Sequence, residues 1–384
     1  MSGVPRGVKL LGTVSFFNDV ASEMVYPLIP ALIVRLGGGA LAVGALDGAA
    51  ELTSAAVKMA SGRLADRPTW RKPLILVGYI IAVVVRPLVG FASATTQVVG
   101  LRMADRIGKG LRQPPRDALI AVLTPPQVRG RAFGFHRAAD HLGAVAGACL
   151  AWALLASGVQ VRSVISLSIV PGVVAVAVLV FVLRGGTGGT GAMDRTGEAN
   201  DEAGRAFWVP VAALAALALA RIPEALLLLR LQDAGVAVAL LPLAWGGLHV
   251  VRSAASYPGG RLADSAGPRL AVLSGAVLTA AVLAAMALPV SPLAAVATFL
   301  TLGLTAGLME PAERALVARL APVRTGRGFG SFHAITGFAA LPAALAFGFV
   351  YQRSGPATAL LASATAVFIS ALVWATVAPR ERTA

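Results

Sequence analysis

The chain has almost none of the residues from which soluble enzymes build redox and metal sites. Among 384 residues there are one cysteine, Cys149, and four histidines. A single cysteine excludes a disulfide framework, and no His and Cys residues stand at the spacing of metal ligands. The Gly-x-Ser-x-Gly elbow is missing, and Gly108-Lys109-Gly110 lacks the upstream glycine and the Ser or Thr of a phosphate loop. We therefore expect no enzyme, no ATP-driven pump, no cofactor and no metal.

Acidic residues are also scarce, because 18 Asp and Glu stand against 33 Lys and Arg, which gives a net charge of +15. The basic residues are spread through short loops between apolar runs and form no patch interleaved with aromatics, so we expect no nucleic-acid partner. They collect in every second loop, whereas the other loops carry only Arg35, Arg162, Arg230 and Arg353. The positive-inside rule then predicts a multi-pass protein of the bacterial plasma (inner) membrane with both termini in the cytoplasm.

Apolar residues, by contrast, make up 57% of the chain, and the mean hydropathy is +0.77. Soluble domains are about 45–50% apolar, and one membrane span needs about 20 apolar residues. No small-residue cleavage site follows the first apolar run, so we expect a retained helix rather than a signal peptide. Hydropathy predicts an all-α membrane protein with twelve transmembrane helices, near residues 9–34, 40–61, 73–93, 97–123, 131–157, 162–184, 207–231, 235–258, 270–289, 293–320, 327–351 and 357–378.

An internal repeat relates the two halves of this pattern. The pentapeptide Gly-Arg-Leu-Ala-Asp at 62–66 recurs at 260–264, and Gly-Arg-x-Phe-Gly at 130–134 recurs at 326–330, at nearly the same distance along the chain. Between the halves lies a run of Gly and Thr followed by mixed charges, which is typical of a flexible linker. We predict two pseudo-symmetric six-helix bundles, residues 1–184 and 207–384, joined by a cytoplasmic linker at 185–206.

Two carboxylates lie near the middle of the first predicted span. Asp19 and Glu23 share one helical face, next to Asn18. A charge at the centre of a span costs about 2.5–3.5 kcal/mol on insertion scales, so it persists only where a partner, a water-filled cavity or a function offsets the cost. A protonated carboxylate is neutral and reorients at far lower cost. We therefore predict that these residues contribute to a substrate or proton site.

The fourth predicted span has the most unusual charge pattern. A single helical stripe, with Arg106 beside it, contains Arg102, Asp105, Lys109, Arg112 and Arg116. Arg102 and Arg106 should reach the depth of the first-span carboxylates, and we predict that they line a cavity with them. For Arg112 and Arg116 an ion-paired structural interface is an equally good interpretation.

Charges in the other spans allow two interpretations. In the C-terminal half, Arg221 and Glu224 resemble a local ion pair, and Glu224 lies about one repeat from Glu23. Glu310 is the deepest charge of the tenth span and is a further candidate for the cavity. Asp47 and Glu51, four residues apart in the second span, fit a structural role at least as well. The four histidines are expected to pack or to cap helices rather than to titrate.

These residues resemble the major facilitator superfamily of secondary transporters over the whole chain. The segment from Gly62 through Asp66 and Arg67 to Arg71-Lys72 is similar to the loop signature of that superfamily, with Pro68, Thr69 and Trp70 replacing usual residues. Gly143 and Gly147 are similar to a helix-packing signature of antiporters, although Ala148 replaces the usual proline. The resemblance implies alternating access, and it implies that Asp66 latches one state through arginines and a helix N-terminus. The implied latch comprises Gly62, Asp66, Arg67, Arg71, Arg112, Arg116, Gly260, Asp264 and Arg269.

A narrower resemblance joins 17–27, 105–110 and 115–120 to bacterial facilitator-type permeases of unassigned substrate. We accordingly predict a monomeric secondary transporter in the lipid bilayer that exports a small organic or drug-like molecule by proton antiport. The first alternative is the uptake or export of an organic anion, which the span arginines favour. The alternative from another class is a membrane receptor or scaffold that does not transport.

Overall fold

The computed structural model describes residues 4–37, 40–184, 204–236, 240–288, 291–321 and 325–379. All regular secondary structure in these ranges is helical. Most of the predicted linker, residues 185–203, lies outside the described residues. In chain order the α-helices are α1 (Arg6–Glu23), α2 (Ile29–Arg35), α3 (Ala40–Ala65), α4 (Pro68–Leu88), α5 (Thr95–Leu123), α6 (Arg129–Ala156), α7 (Val161–Leu167), α8 (Ile169–Arg184), α9 (Arg205–Ala220), α10 (Glu224–Asp233), α11 (Leu241–Ser265), α12 (Gly267–Ala287), α13 (Pro292–Leu320), α14 (Thr325–Ser354) and α15 (Pro356–Val377).

Three of the predicted spans consist of two helices each. The first span is interrupted between α1 and α2 by a 3₁₀ turn, Tyr26–Leu28, that contains a proline. The sixth is divided between α7 and α8 at Ser168. The seventh is interrupted between α9 and α10, where Arg221 is extended (φ −82°, ψ 128°) and Pro223 precedes α10. Proline has no N–H for the helical hydrogen bond, which explains an interruption within an apolar run.

Taken as interrupted pairs, the described helices match the predicted spans to within a few residues, except for the eighth. Hydropathy places that span near 235–258, whereas α11 runs from Leu241 to Ser265. The apolar signal ends at the charged loop sequence, but Arg and Asp are compatible with a helix, so the backbone hydrogen bonds continue through it. The helix ends just before Gly267, whose φ of +87° favours glycine.

The internal repeat is visible in the helix lengths. Helices α4 and α12 each have 21 residues, and α5 and α13 each have 29. By length and apolar composition, six segments of the described chain could cross a membrane: Pro68–Phe91, Pro126–Ala156, Val161–Arg184, Gly267–Ala287, Pro292–Leu320 and Pro356–Val377. Helix α5 is as long as α13, but its stripe of charges lowers its hydropathy.

Contacts between Cα atoms divide the chain into two compact units. The first unit comprises Met1–Pro125, Ala139–Glu198 and Pro322–Gly337, and the second comprises Pro126–Ala138, Ala199–Ala321 and Phe338–Ala384. Each unit therefore contains one short segment from the other half of the sequence. The bundles predicted at 1–184 and 207–384 stay a prediction.

A close helix approach in the first unit positions its polar side chains. A Cβ atom on Gly78 of α4 would lie 2.5 Å from the carbonyl oxygen of Gly108 in α5, so the two backbones are in direct contact at this point. Only glycine permits such an approach without displacing one of the helices. Side chains that project from α4 and α5 beyond this crossing consequently meet inside the unit.

Candidate functional site

A buried arginine from α4 organises the polar cluster of the first unit. The Nε atom of Arg86 donates to Oδ1 of Asp105 at 2.8 Å, and its Nη1 donates to the carbonyl oxygen (2.9 Å) and to Oδ1 (3.0 Å) of Asn18. Asp105 also accepts from Nη1 of Arg102 at 3.2 Å. The side chains of Arg86 and Asp105 are 5% and 3% exposed, so this is a fully buried ion pair. Arg86 thus connects α1, α4 and α5.

Arg102 and Arg106, which were predicted to line a cavity, pair with carboxylates other than Asp19 and Glu23. Arg102 binds Asp105 and lies 4.8 Å above the ring of Tyr26. The Nε atom of Arg106 lies 3.7 Å from Oε1 of Glu51 in α3. Both arginines nevertheless act electrostatically on Glu23, as does Lys109. The positive stripe of α5 therefore lies near the carboxylates of α1 while its ion pairs are made elsewhere.

In the described part of the chain, no arginine is bound to Asp19 or Glu23. Oδ1 of Asp19 accepts a hydrogen bond of 2.8 Å from Nδ2 of Asn18. Among the described residues, Glu23 forms no hydrogen bond or ion pair, and Asp19 forms no ion pair. Both side chains are only partly exposed. Within the described part of the chain, neither Arg102 nor Arg106 forms an ion pair with these carboxylates, and the predicted shared cavity stays a prediction.

A second chain of contacts follows α5 toward its C-terminal end. Nη1 of Arg116 donates to the hydroxyl of Ser15 at 3.0 Å, and its Nη2 lies 3.3 Å from Oδ1 of Asp117. The other carboxylate oxygen of Asp117 is 2.7 Å from Nε2 of His333 in α14. Arg112 donates to the carbonyl oxygen of Gly78 and lies above the ring of Tyr79. Arg112 and Arg116 are thus buried structural partners as well as candidates for the latch.

The two predicted packing glycines contact α1 next to its carboxylates. Gly143 of α6 packs on the backbone of Phe16, and Gly147 packs on Val20. A Cβ on Gly147 would also lie 3.1 Å from Cβ of Glu23. These glycines hold α6 close to the face of α1 that carries Asp19 and Glu23.

The first predicted latch residue meets the start of α14. Oδ1 of Asp66 accepts from the backbone N–H of Arg327 at 2.9 Å, within the first turn of the helix. A negative charge at a helix N-terminus stabilises the helix. A Cβ on Gly62 would lie 2.5 Å from Cα of Gly330, so the glycine permits this contact. Arg71 donates instead to the carbonyl oxygen of Ala65, and Arg67 is exposed.

The second copy of the motif meets the start of α6 in the same way. Asp264 accepts from the backbone N–H groups of Gly130 (2.7 Å) and Arg131 (3.0 Å), and from Nε of Arg131 at 3.0 Å. Gly260 packs directly on the backbone of Gly130. Arg269 lies elsewhere, since it donates to the carbonyl oxygen of Ala375 at the end of α15. It therefore holds α12 on α15 and does not contribute to the contact at Asp264.

Charged residues of the second unit form separate pairs. Nη2 of Arg221 lies 3.3 Å from Oε1 of Glu313 and 3.5 Å from Sδ of Met309. Glu224 pairs with Arg252 of α11, so the predicted local pair of Arg221 with Glu224 is wrong. The interruption of the span turns the two side chains toward different helices. Glu310 pairs with Arg137 and lies 3.7 Å from Nη1 of Arg314.

Sequence reasoning missed three residues of these clusters. Arg86 and Arg252 are buried charges within apolar runs, and the cost of such a charge is a signal that could have identified them. The contact of His333 with Asp117 joins residues 216 positions apart, and nothing in the local sequence indicates it. Asp47 has a side chain outside the described part of the structure.

The family follows from comparison with known proteins. The sequence matches the family model of the Major Facilitator Superfamily over residues 11–249 and 225–384. The chain belongs to the Major Facilitator Superfamily. An uncharacterized MFS-type transporter of Methanocaldococcus jannaschii is 28% identical over 377 residues, which is 96% of this chain and 94% of the relative. The multidrug resistance protein MdtH of Edwardsiella ictaluri is 34% identical over 157 residues, 38% of this chain and 35% of the relative.

Solved structures of superfamily members agree with the observed fold. The fucose:proton symporter of E. coli, FucP, matches with a TM-score of 0.77 at 14% identity, over 97% of this chain and 98% of the symporter. The predicted twelve-helix, all-α membrane fold of the superfamily is confirmed. This superfamily member is a membrane transporter, and transporters of the superfamily bind small-molecule substrates.

Proposed function

We propose that this transporter is a secondary active carrier that exports a small organic or drug-like molecule in exchange for protons, by alternating access. The observation that carries the proposal is the state of Asp19 and Glu23. Both lie within the first span, beside a positive stripe, yet among the described residues no arginine is bound to either of them. The two residues are therefore available to a substrate or a proton.

The physical argument concerns the cost of charge. A carboxylate that exists only for structure would be expected to bind a cation directly, as Asp105 binds Arg86 and Arg102. Asp19 and Glu23 bind no cation among the described residues, so another process offsets the cost of their charge. Uptake of a proton neutralises a carboxylate and removes its need for a counter-charge. Release of that proton restores the charge next to the stripe on α5, which stabilises it.

The contacts of Asp66 and Asp264 support a cycle of conformations. Each carboxylate binds the first turn of a helix from the other half of the sequence, 261 and 134 residues away along the chain. We propose that these contacts hold one state of the transport cycle and break in another. Asn18, Arg102, Arg106, Arg221, Glu224 and Glu310 are proposed to complete the substrate and proton site.

Similarity to MdtH supports export of a drug-like molecule, because that relative is named a multidrug resistance protein. The specific observation that favours an organic anion instead is the density of buried cations on α4 and α5. Arg86, Arg102, Arg112 and Arg116 are all buried. We further propose that the protein works as a monomer in the bacterial inner membrane, with both termini in the cytoplasm.

Transport by purified protein in proteoliposomes tests the proposal. A panel of drug-like molecules is screened for efflux driven by a proton gradient, and substrate-driven proton flux is then measured in Asp19→Asn and Glu23→Gln. Both variants should lose that flux. Glu51→Gln is the matched control, since Glu51 is also a carboxylate facing the stripe but is paired with Arg106, and it should retain the flux. Normal proton flux in both α1 variants would refute proton coupling through these residues.

A further inference from the structure

A small cavity within the second unit is lined by charged and hydroxyl side chains. It has a volume of about 80 Å³ and lies beside the interruption between α9 and α10. Its polar lining consists of Arg221, Glu224, Arg252, Thr279 and Thr305. The volume is sufficient for a small ion, a few water molecules or a head group of a few heavy atoms.

Two arginines that line this cavity have an N–H group that is not used in their ion pairs. Arg252 is 8% exposed, and among the residues that the structure describes the buried Nε atoms of both Arg252 and Arg221 have no hydrogen-bond partner. A guanidinium is always charged and its N–H groups can only donate. Leaving such a buried donor unsatisfied is costly, so an acceptor is expected opposite it.

The carboxylates nearby do not supply that acceptor. Glu224 binds Nη2 of Arg252, and Glu313 binds Nη2 of Arg221, which leaves both Nε atoms facing elsewhere. The threonine hydroxyls do not compete for an acceptor either. Thr279 donates to the carbonyl oxygen of Gly275 and Thr305 to that of Leu302.

The interruption of the span explains why the charges are found here. Arg221 follows the C-terminus of α9, and Glu224 is in the first turn of α10. Helix dipoles favour a cation at the C-terminus of α9 and an anion at the N-terminus of α10. Discontinuous helices in transporters characteristically place such ends at ligand sites.

We infer that this cavity binds a small monovalent anion, a carboxylate group or a halide, between the guanidinium groups of Arg252 and Arg221. The cavity is too small for a whole drug-like molecule, so the anion is either the head group of a transported molecule or a resident ion. If the anion is the head group of a transported molecule, the inference deepens the proposed function and rests on it. If the anion is a resident ion, the inference does not depend on the proposed function.

A tryptophan next to the cavity provides a direct signal. The guanidinium of Arg252 lies 6.0 Å from the ring of Trp245. Purified full-length protein is titrated with sodium acetate or sodium chloride, and Trp245→Phe is titrated in parallel at the same ionic strengths so that non-specific effects of salt are subtracted. Tryptophan fluorescence should change saturably with one or both anions, and Trp245→Phe should abolish the change.

Two variants test the assignment of the site. Arg252→Gln combined with Glu224→Gln removes a donor without leaving an unpaired carboxylate, and we expect at least about a tenfold weaker binding. Ala306→Leu fills the cavity without altering a charge, and it should weaken binding as strongly, so the test does not depend on the folding of the double variant. Arg353→Gln, an exposed arginine in α14, is the control and should bind normally. Absence of saturable binding, or equal binding in both cavity variants and the wild type, would overturn the inference.

Proteoliposomes distinguish the two sources of the anion. A bound carboxylate that also crosses the membrane through the protein is the head group of a transported molecule, and an anion that binds without crossing is a resident ion. Either result supports the site. Because the binding titration needs no transport, absence of saturable anion binding in a protein with intact drug efflux would reject this inference alone. Anion binding without any proton-driven efflux would reject only the proposed function.

Discussion

The two compact units contain repeated helices of equal length, yet their interiors are organised differently. In the first unit Arg86 joins three helices through Asn18 and Asp105, and both charged groups are almost fully buried. In the second unit the charges form separate pairs, such as Arg221 with Glu313, whose side chains are 34% and 14% exposed. The repeat has therefore preserved the helices but not the chemistry between them.

One position shows this divergence directly. Arg116-Asp117 in α5 and Glu313-Arg314 in α13 occupy the same place along two helices of 29 residues, with the order of charge reversed. Each pair is free to bind different partners, so Asp117 meets His333 while Glu313 meets Arg221. Helix length and apolar character constrain the fold, whereas the sign of a buried charge is set by its partner.

The largest expected effect comes from breaking the network of the first unit. Arg86→Met removes one of the two arginines bound to the buried carboxylate of Asp105 and leaves the acceptors of Asn18 without their donor, and it should lower the free energy of unfolding by about 3–5 kcal/mol. Arg221→Met, the matched change in the second unit, removes a partly exposed pair and should cost about 1 kcal/mol or less. Thermal unfolding in one detergent measures both. Equal losses would show that the two interiors are organised alike.

An intermediate effect is expected where both units are built the same way. Gly62→Ala and Gly260→Ala each force a methyl group into a neighbouring backbone, and each should destabilise by about 1–3 kcal/mol. Gly246→Ala in α11 is the control, because a Cβ there would meet nothing within 4 Å, and helix propensity should make it neutral or stabilising by about 1 kcal/mol. A large difference between the variants at Gly62 and Gly260 would contradict the structural equivalence of the two motif copies.

The smallest effect should appear at the two helix N-termini. Asp66→Asn should increase amide exchange at the start of α14, and Asp264→Asn should do so at the start of α6, each by weakening charge-assisted hydrogen bonds worth about 1–2 kcal/mol. Hydrogen–deuterium exchange is measured on peptides covering both helix starts. Because the two contacts are proposed to hold the same state, a smaller rise is also expected at the other helix start. Exchange that stays unchanged at the helix start bound by the substituted residue would contradict the contact.

Much of the architecture was predictable because it depends on the hydropathy of each residue and on short repeated motifs. Apolar runs determine which segments can enter a bilayer, and the repeated motifs identified the contacts of Gly62, Asp66, Gly260 and Asp264 as important before their partners were known. The sequence also identified Asp19 and Glu23 from the cost of their charge. It could not assign their partners, since contacts between residues of different helices depend on how the helices pack.

Only the tertiary structure decided which charges neutralise one another. Asp105 binds Arg102 within its own helix, but it also receives Arg86 because α4 and α5 touch at Gly78 and Gly108, and no sequence periodicity indicates that contact. The interruption at Arg221 likewise separates this residue from its neighbour Glu224 and opens a cavity between them. Hydrophobic length is a local property, and so the sequence by itself determined the helices and their order. Ion pairing depends on distances of a few ångströms between helices, and it therefore emerged only when they were packed.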